Sequence, residues 1–217
     1  MSKTKIKVCG LSDPTHVRTA VEAGADYVGF MFYEPSPRNV STQVAQGLAT
    51  LARGRSKIVA IVVDADDVLI DRINAEVKPD FFQAHGSETP DRIGEIHIRT
   101  GVPVIKAIKV SDATDIEAAG AYTDVAAMVL FDAKAPDTLA NALPGGNGIS
   151  FDWNLLPGGG LRNGFMLSGG LEADNVADAI SVTGAPAVDV SSGVETAPGV
   201  KDDAAIVKFI EAVRQHG

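Results

Sequence analysis

The side chains best suited to acid–base chemistry are one thiol and one carboxylate, each at the end of a short apolar segment. Cys9 follows Lys7 by two positions, so in an extended strand both side chains point to the same side. A thiol beside a cation has a lowered pKa and becomes a competent base or nucleophile. The alternative is that a lone cysteine on a strand is a small apolar filler.

Asp132 is the carboxylate, and it ends the apolar run 127–131. A buried carboxylate is costly unless it is hydrogen-bonded or used, and burial raises its pKa toward that of a general acid. The alternative role is structural, with Asp132 capping a loop.

Two glycine-rich turns are candidates for binding a phosphate group. Glycine lets backbone N–H groups approach an anion closely, and a following helix N-terminus adds to the attraction. The turns are Ser168-Gly169-Gly170-Leu171 and Ser191-Ser192-Gly193-Val194. A third loop, Gly145-Gly146-Asn147-Gly148, could cover a ligand or could be only a connector.

Four further polar residues are candidate substrate contacts. Arg38, in a proline-rich loop, could pair bidentately with a carboxylate, or could be a solvated surface charge. Asp189 could bind a substrate hydroxyl or anchor its strand. Gln83 and His85 follow each other at the end of one strand, where His85 could also support the adjoining loop.

The elements that must position these residues are eight short apolar runs rich in Val, Ile and Phe, each too short for a helix. They span residues 5–9, 27–32, 58–63, 81–85, 104–109, 127–132, 165–168 and 188–191. Helix signals lie between them. Asp13-Pro14 and Thr89-Pro90 are N-cap pairs, helices are expected near 172–180 and 201–215, and Gly24 and Gly101 are stop signals.

Eight alternating strands and helices predict one α/β domain over residues 1–217, a closed (β/α)₈ TIM barrel. An open doubly wound sheet is the alternative, but no GxGxxG motif follows the first strand. In such barrels the active site lies at the carboxyl ends of the strands, and the loops after strands seven and eight commonly hold phosphate. The candidate residues above lie at these positions.

The composition limits which kinds of partner and which cellular compartment fit this chain. The chain has 19 Lys and Arg against 28 Asp and Glu, a net charge of −9, which argues against a nucleic-acid surface. The single cysteine, Cys9, excludes an internal disulfide and suits a reducing compartment. With no signal-like or membrane-spanning apolar run, a cytoplasmic protein without membrane contact is expected. The spacing of His and Cys also predicts no metal site.

The motifs together resemble one family, phosphoribosylanthranilate isomerase, from end to end. The matching segments include Lys7-Val8-Cys9-Gly10-Leu11, Ser36-Pro37-Arg38-Asn39, Gln83-Ala84-His85-Gly86, Phe131-Asp132-Ala133-Lys134, Ser168-Gly169-Gly170-Leu171 and Val188-Asp189-Val190-Ser191-Ser192-Gly193-Val194-Glu195. Two positions depart from the family pattern: Ala84, where leucine is usual, and Asn147, where threonine is usual.

The resemblance implies an Amadori rearrangement in tryptophan biosynthesis. N-(5′-phosphoribosyl)anthranilate would become 1-(2-carboxyphenylamino)-1-deoxyribulose 5-phosphate, with Asp132 as general acid and Cys9 as general base. Arg38 would face the anthranilate carboxylate, Asp189 would touch the sugar hydroxyls, and the glycine turns would hold the phosphate. No cofactor is implied, and the chain could be a monomer or a homodimer.

Three rival functions remain open on the same barrel. A Schiff-base aldolase would use Lys134 or Lys109, both at strand ends, as nucleophile. An isomerase of broader range would also accept a histidine-pathway aminoaldose, although Cys9, rather than an aspartate at that position, favours a single substrate. A catalytically retired barrel would bind a sugar phosphate without turnover.

Overall fold

The computed structural model describes residues 3–134, 145–146, 148–156 and 164–216. Eight parallel strands form a closed barrel in sequence order. They are β1 (Lys5–Cys9), β2 (Tyr27–Phe32), β3 (Lys57–Val62), β4 (Phe81–Ala84), β5 (Val104–Val110), β6 (Met128–Ala133), β7 (Phe165–Leu167) and β8 (Ala187–Val190). Strand β1 pairs with β8 through Lys7 and Asp189, which closes the sheet and excludes the open doubly wound alternative.

The helices lie outside the barrel and connect the strands. They are α1 (Pro14–Ala23), α2 (Thr42–Ala52), α3 (Asp67–Glu76), α4 (Pro90–Thr100), α5 (Ala113–Ala118), α6 (Val176–Thr183) and α7 (Asp203–His216). The described residues between β6 and β7 contain a short 3₁₀ turn, Trp153–Leu155. A two-stranded hairpin, β9 (Glu195–Ala197) and β10 (Val200–Lys201), precedes α7.

The expected capping residues lie at the predicted helix ends. The Asp13 carboxylate accepts a hydrogen bond from the Thr15 backbone N–H ahead of α1, and Gly24 ends that helix at φ 96°. The Thr89 hydroxyl caps α4 in the same way, and Gly101 ends it at φ 71°. Left-handed backbone at both stop positions is the conformation that glycine adopts without steric cost.

The predicted strands all lie within one residue of the observed bounds. Two helix starts were predicted too early. The helix expected from 172 begins at Val176, because the Asn175 side chain holds residues 170–172 in a turn, through the Gly170 carbonyl and the Glu172 N–H. The helix expected from 201 begins at Asp203, because Lys201 belongs to the hairpin.

Two apolar layers support the barrel mouth. The larger lies between the strands and the helices, and the smaller fills the barrel interior. The interior layer consists of Cys9, Tyr27, Val59, Ile61, Ile105, Ala107, Leu130, Met166 and Ala187. Because alternate residues of a strand point to the same side, residues two positions further, such as Asp132 after Leu130 and Asp189 after Ala187, face the mouth. Separately, none of the helices among the described residues is long and apolar enough to cross a membrane.

Candidate active site

A cavity opens at the carboxyl ends of the strands, and most of the predicted site residues line it. Its lining is Cys9, Met31, Arg38, His85, Asp132, Ala133, Gly145, Gly146, Gly148, Ile149, Ser168, Gly169, Gly170, Leu171, Asp189, Ser191 and Ser192. Of the twelve predicted residues, Gln83 and Gly193 lie outside this lining. Asn147 lies outside the described residues.

Cys9 and Lys7 point into the barrel as their alternation predicted, but Lys7 already has an anionic partner. Its ammonium is fully buried and donates to Asp189 Oδ1 at 2.9 Å. Burial alone would lower the pKa of Lys7, yet Asp189 and Cys9 together raise it above its ordinary value.

The expectation of a lowered Cys9 pKa is wrong. Burial raises the pKa of the Cys9 thiol, and the nearby Asp189 carboxylate raises it further. Lys7 and Lys201 act in the opposite direction, but they do not overcome the loss of hydration. The neutral thiol is the resting form.

Asp132 is held by two hydrogen-bond partners at the end of β6. Its Oδ1 accepts from the Ala133 backbone N–H at 3.0 Å, and its Oδ2 lies 3.2 Å from His85 Nε2. His85 Nδ1 in turn lies 2.8 Å from Gln83 Nε2. Gln83 is fully buried one layer below the cavity, so it reaches the site through His85.

Gly145 packs directly against the contact between His85 and Asp132. A Cβ at this position would lie 2.5 Å from His85 Nε2 and 2.8 Å from Asp132 Oδ2. Only a residue without a side chain leaves this pair its present geometry.

Arg38 is buried, and a carboxylate of the protein itself occupies two of its nitrogens. Its Nε donates to Glu195 Oε1 at 2.7 Å and its Nη2 to Glu195 Oε2 at 2.8 Å. Nη2 also donates to the Gly146 carbonyl at 3.2 Å. Nη1 lies close to Gly146, where an added Cβ would be 2.7 Å from it. This nitrogen donates to none of the described residues.

Glu195 and Lys201 are site residues that the sequence did not single out as functional. The Lys201 ammonium donates to Glu195 Oε1 at 2.7 Å and to the Ser191 carbonyl at 2.9 Å. Burial would raise the pKa of Glu195, but the cations of Arg38 and Lys201 hold it below its ordinary range. Glu195 was visible only as the last residue of the final motif, and nothing local marked Lys201.

The two glycine turns after β7 and β8 lie next to each other at the mouth. Gly169 and Gly170 have φ of 89° and 62°, so both adopt left-handed backbone. Gly193 packs against the Leu171 carbonyl, with no room for a Cβ. Bare backbone amides in adjoining turns form a concave surface suited to an anion such as phosphate.

The lysines of the aldolase alternative are not in the cavity. Lys134 and Lys109 are both exposed and neither lines it, although Lys109 is in register with Asp132 on the neighbouring strand. The described residues also contain no group of three or more His, Cys, Asp or Glu that could hold a metal ion.

Residues 6–212 match the family described as N-(5'phosphoribosyl)anthranilate (PRA) isomerase. The chain is 50% identical over 213 residues to the N-(5'-phosphoribosyl)anthranilate isomerase of Rhizobium meliloti strain 1021, with 98% of each chain covered. It is 47% identical to the protein of that name in Parvibaculum lavamentivorans, covering 97% of this chain and 98% of the relative.

Solved structures with the same fold carry related names. The phosphoribosyl anthranilate isomerase of Thermotoga maritima superposes with a TM-score of 0.87 at 35% identity, covering 98% of this chain and 99% of that one. A second structure, with a TM-score of 0.81 at 32% identity and the same coverage, is in complex with reduced 1-(o-carboxyphenylamino)-1-deoxyribulose 5-phosphate. A third, also at 0.81 and 32% with the same coverage, contains monomers generated from the dimeric Thermotoga maritima enzyme.

Proposed function

The chain belongs to the N-(5′-phosphoribosyl)anthranilate isomerase family, and we propose that it converts N-(5′-phosphoribosyl)anthranilate into 1-(2-carboxyphenylamino)-1-deoxyribulose 5-phosphate. It is thus an isomerase of tryptophan biosynthesis. One observation carries the detailed proposal: Cys9 and Asp132 line the same cavity, together with Arg38 and residues of the two glycine turns.

The first step opens the sugar ring. Asp132, as a carboxylic acid, donates its proton to the furanose ring oxygen while the bond from that oxygen to C1′ breaks. The anthranilate nitrogen lone pair forms a double bond to C1′, which gives a protonated Schiff base. The hydrogen bonds from Ala133 N–H and His85 hold the carboxyl group in one orientation for this transfer.

The second step moves the C2′ proton. Cys9, as thiolate, removes it, and the electrons of the C2′–H bond form a C1′–C2′ double bond while the Schiff-base nitrogen regains its lone pair. The resulting enolamine tautomerises to the ketone: the 2′-hydroxyl loses its proton and C1′ gains one. The proton taken by Cys9 is then released and Asp132 is reprotonated from solvent, so the net proton count is unchanged. No electrons leave or enter, so the reaction needs only an acid and a base.

Binding contacts follow from what surrounds these two residues. Arg38 faces the anthranilate carboxylate through its Nη1, because Glu195 occupies Nε and Nη2. The turns of Gly169–Gly170 and Ser191–Gly193, together with the loop containing Gly146, hold the phosphate. Asp189 contacts the sugar hydroxyls or orders the site through Lys7. His85 contacts the substrate beside Asp132, and Gln83 orients the His85 ring.

The direct test follows the loss of anthranilate-ring fluorescence on addition of phosphoribosylanthranilate. Wild type is expected to turn over, and Cys9→Ser and Asp132→Asn each to lose roughly a thousandfold in kcat while remaining folded. Asp174→Asn is the matched control, since that carboxylate is exposed in a surface ion pair with Lys208.

Each rival function has its own result. An inert wild type that is trapped by borohydride with a carbonyl substrate would indicate the aldolase. Binding of substrate without turnover would indicate a retired barrel. Turnover of the histidine-pathway aminoaldose as well would indicate the broader isomerase. An active wild type with one unaffected variant would leave the reaction in place and remove that residue's role.

We further place the enzyme in a reducing cytoplasm, as a monomer or homodimer. The free, buried thiol of Cys9 suits a reducing compartment. A dimeric relative exists in Thermotoga maritima. Light scattering at several protein concentrations separates the two assembly states.

A further inference from the structure

We propose that Glu195 and Lys201 are positioning residues that join the carboxylate-binding and phosphate-binding ends of the site into one unit. This inference rests on the proposed function, since it takes Arg38 as the carboxylate contact and the Ser191–Ser192 turn as part of the phosphate site. Neither Glu195 nor Lys201 lines the cavity, so each acts through the residues it holds.

The hairpin β9–β10 brings the two residues together. Glu195 opens β9 and Lys201 ends β10, and they are partners in the antiparallel register. Their side chains are 4% and 0% exposed. A buried carboxylate or ammonium is costly unless it is paired, so this ion pair fixes the hairpin's position.

One end of the pair holds Arg38. Glu195 binds the guanidinium through two parallel hydrogen bonds, a geometry that fixes both the position and the plane of the group. The hairpin also packs closely on the loop that carries Arg38. Gly199 lies so near this loop that an added Cβ would be 2.6 Å from the Pro37 carbonyl oxygen. The Gly199 N–H donates to Glu195 Oε2 at 3.2 Å.

The other end holds the turn after β8. The Lys201 ammonium donates to the Ser191 carbonyl at 2.9 Å and to its hydroxyl at 3.3 Å. The same hydroxyl lies 3.4 Å from the Cys9 carbonyl oxygen, so the contact extends to the backbone of the catalytic strand. Lys201 therefore hydrogen-bonds both to the turn and to Glu195, the carboxylate partner of Arg38.

Two substitutions of opposite charge separate positioning from a purely electrostatic role. Lys201→Met removes a cation and frees both Ser191 and one oxygen of Glu195. Glu195→Gln removes an anion and leaves the site more positive, but it breaks the bidentate hold on Arg38. Attraction of anions by charge alone would weaken binding in the first variant and strengthen it in the second.

The experiment measures the dissociation constants of anthranilate and of ribose 5-phosphate separately, by calorimetry or NMR titration, so that no turnover is needed. In Lys201→Met both probes are expected to bind about tenfold more weakly. Glu195→Gln is expected to weaken anthranilate binding by a similar factor in spite of its added positive charge. Lys208→Met, which removes an exposed lysine from α7, is the matched control and leaves both constants unchanged.

Several results would overturn the proposal. They are tighter anthranilate binding by Glu195→Gln, a change in only one probe for Lys201→Met, or wild type that binds neither probe. If Lys201→Met does not fold, the Glu195→Gln result alone still decides between positioning and charge. Fluorescence turnover of wild type tests the proposed function independently, so a failure of the function and a failure of the coupling give different results.

Discussion

Cys9 lies in surroundings that oppose its own ionisation, although it is the proposed base. The thiol is buried beside the Asp189 carboxylate, and these two features outweigh the Lys7 and Lys201 cations. The protein therefore holds most of its proposed base in the protonated form at neutral pH. Because the thiolate is a minority species, the reactivity of the Cys9 thiol should depend on pH.

The expected pH dependence follows from the direction of this shift. Because the Cys9 pKa is above its ordinary value, the fraction of Cys9 present as thiolate should rise about tenfold for each unit by which the pH increases toward that pKa. The alkylation rate of Cys9 by iodoacetamide should rise over the same range, and the absence of any other cysteine makes this signal specific. An alkylation rate that is flat from about pH 6 to 8 would contradict the raised pKa.

At the scale of elements, the loop after β4 is fastened by an ion pair in the outer layer. Lys106 on β5 and Glu88 beyond β4 lie 2.8 Å apart, and both side chains are 3% exposed. Glu88 also accepts from the backbone N–H groups of Asp64 and Gly86, and Lys106 donates to the Gly86 carbonyl. Gly86 follows His85 directly, so this pair supports the loop that places His85 against Asp132.

Lys106→Met is expected to destabilise the fold strongly, because it leaves the Glu88 carboxylate buried without its cation. The cost should be about 3 kcal/mol, which corresponds to a fall in Tm of roughly 6–12 °C for a chain of this size. Lys57→Met is the control, since Lys57 and Asp80 form an exposed pair. Equal falls in Tm for the two variants, measured by calorimetry, would show that burial of the pair is unimportant.

The Lys106–Glu88 pair should also make the stability of the fold depend on pH. Burial would raise the pKa of Glu88, but Lys106 and the backbone donors hold it below its ordinary value of 4.5. The contribution of this pair to the free energy of unfolding is therefore fully present above pH 4.5. It is lost as the pH falls through the lowered pKa of Glu88.

On the scale of the whole molecule, a protein of net charge −9 keeps three buried cations at or beside the cavity in the barrel mouth. The side chains of Lys7, Arg38 and Lys201 are 0%, 5% and 0% exposed. Lys7 is matched by Asp189, whereas Arg38 and Lys201 share Glu195. Asp132 lines the same cavity as a third carboxyl group, so three cations face three carboxyl groups. An anionic ligand would therefore be held by local donors, Arg38 Nη1 and the backbone amides of the glycine turns, and not by an excess of positive charge.

Ligand binding should consequently stabilise the folded chain as a whole. Ribose 5-phosphate at about ten times its Kd should add roughly 1.4 kcal/mol and raise Tm by about 3–6 °C. Sodium chloride at the same ionic strength is the control, because it screens charge without filling the proposed phosphate site. A Tm that responds equally to both salts would indicate general screening and no specific site.

The sequence by itself determined the order and extent of the barrel strands and the set of residues at their carboxyl ends. Apolar periodicity, N-caps and glycine stops act within a few neighbouring residues, so they can be recognised without a structure. Once eight strands are placed in order, barrel geometry brings Cys9, Asp132 and the two glycine turns to one mouth.

Only the tertiary structure decided which charges meet. Lys7 pairs with Asp189 across 182 positions of the chain, and Arg38 pairs with Glu195 across 157. Periodicity carries no information about such contacts, because they depend on barrel closure and on where the β9–β10 hairpin packs. For that reason the sequence suggested a lowered Cys9 pKa and missed Lys201, whereas the folded chain shows burial raising that pKa and Lys201 joining two parts of the site.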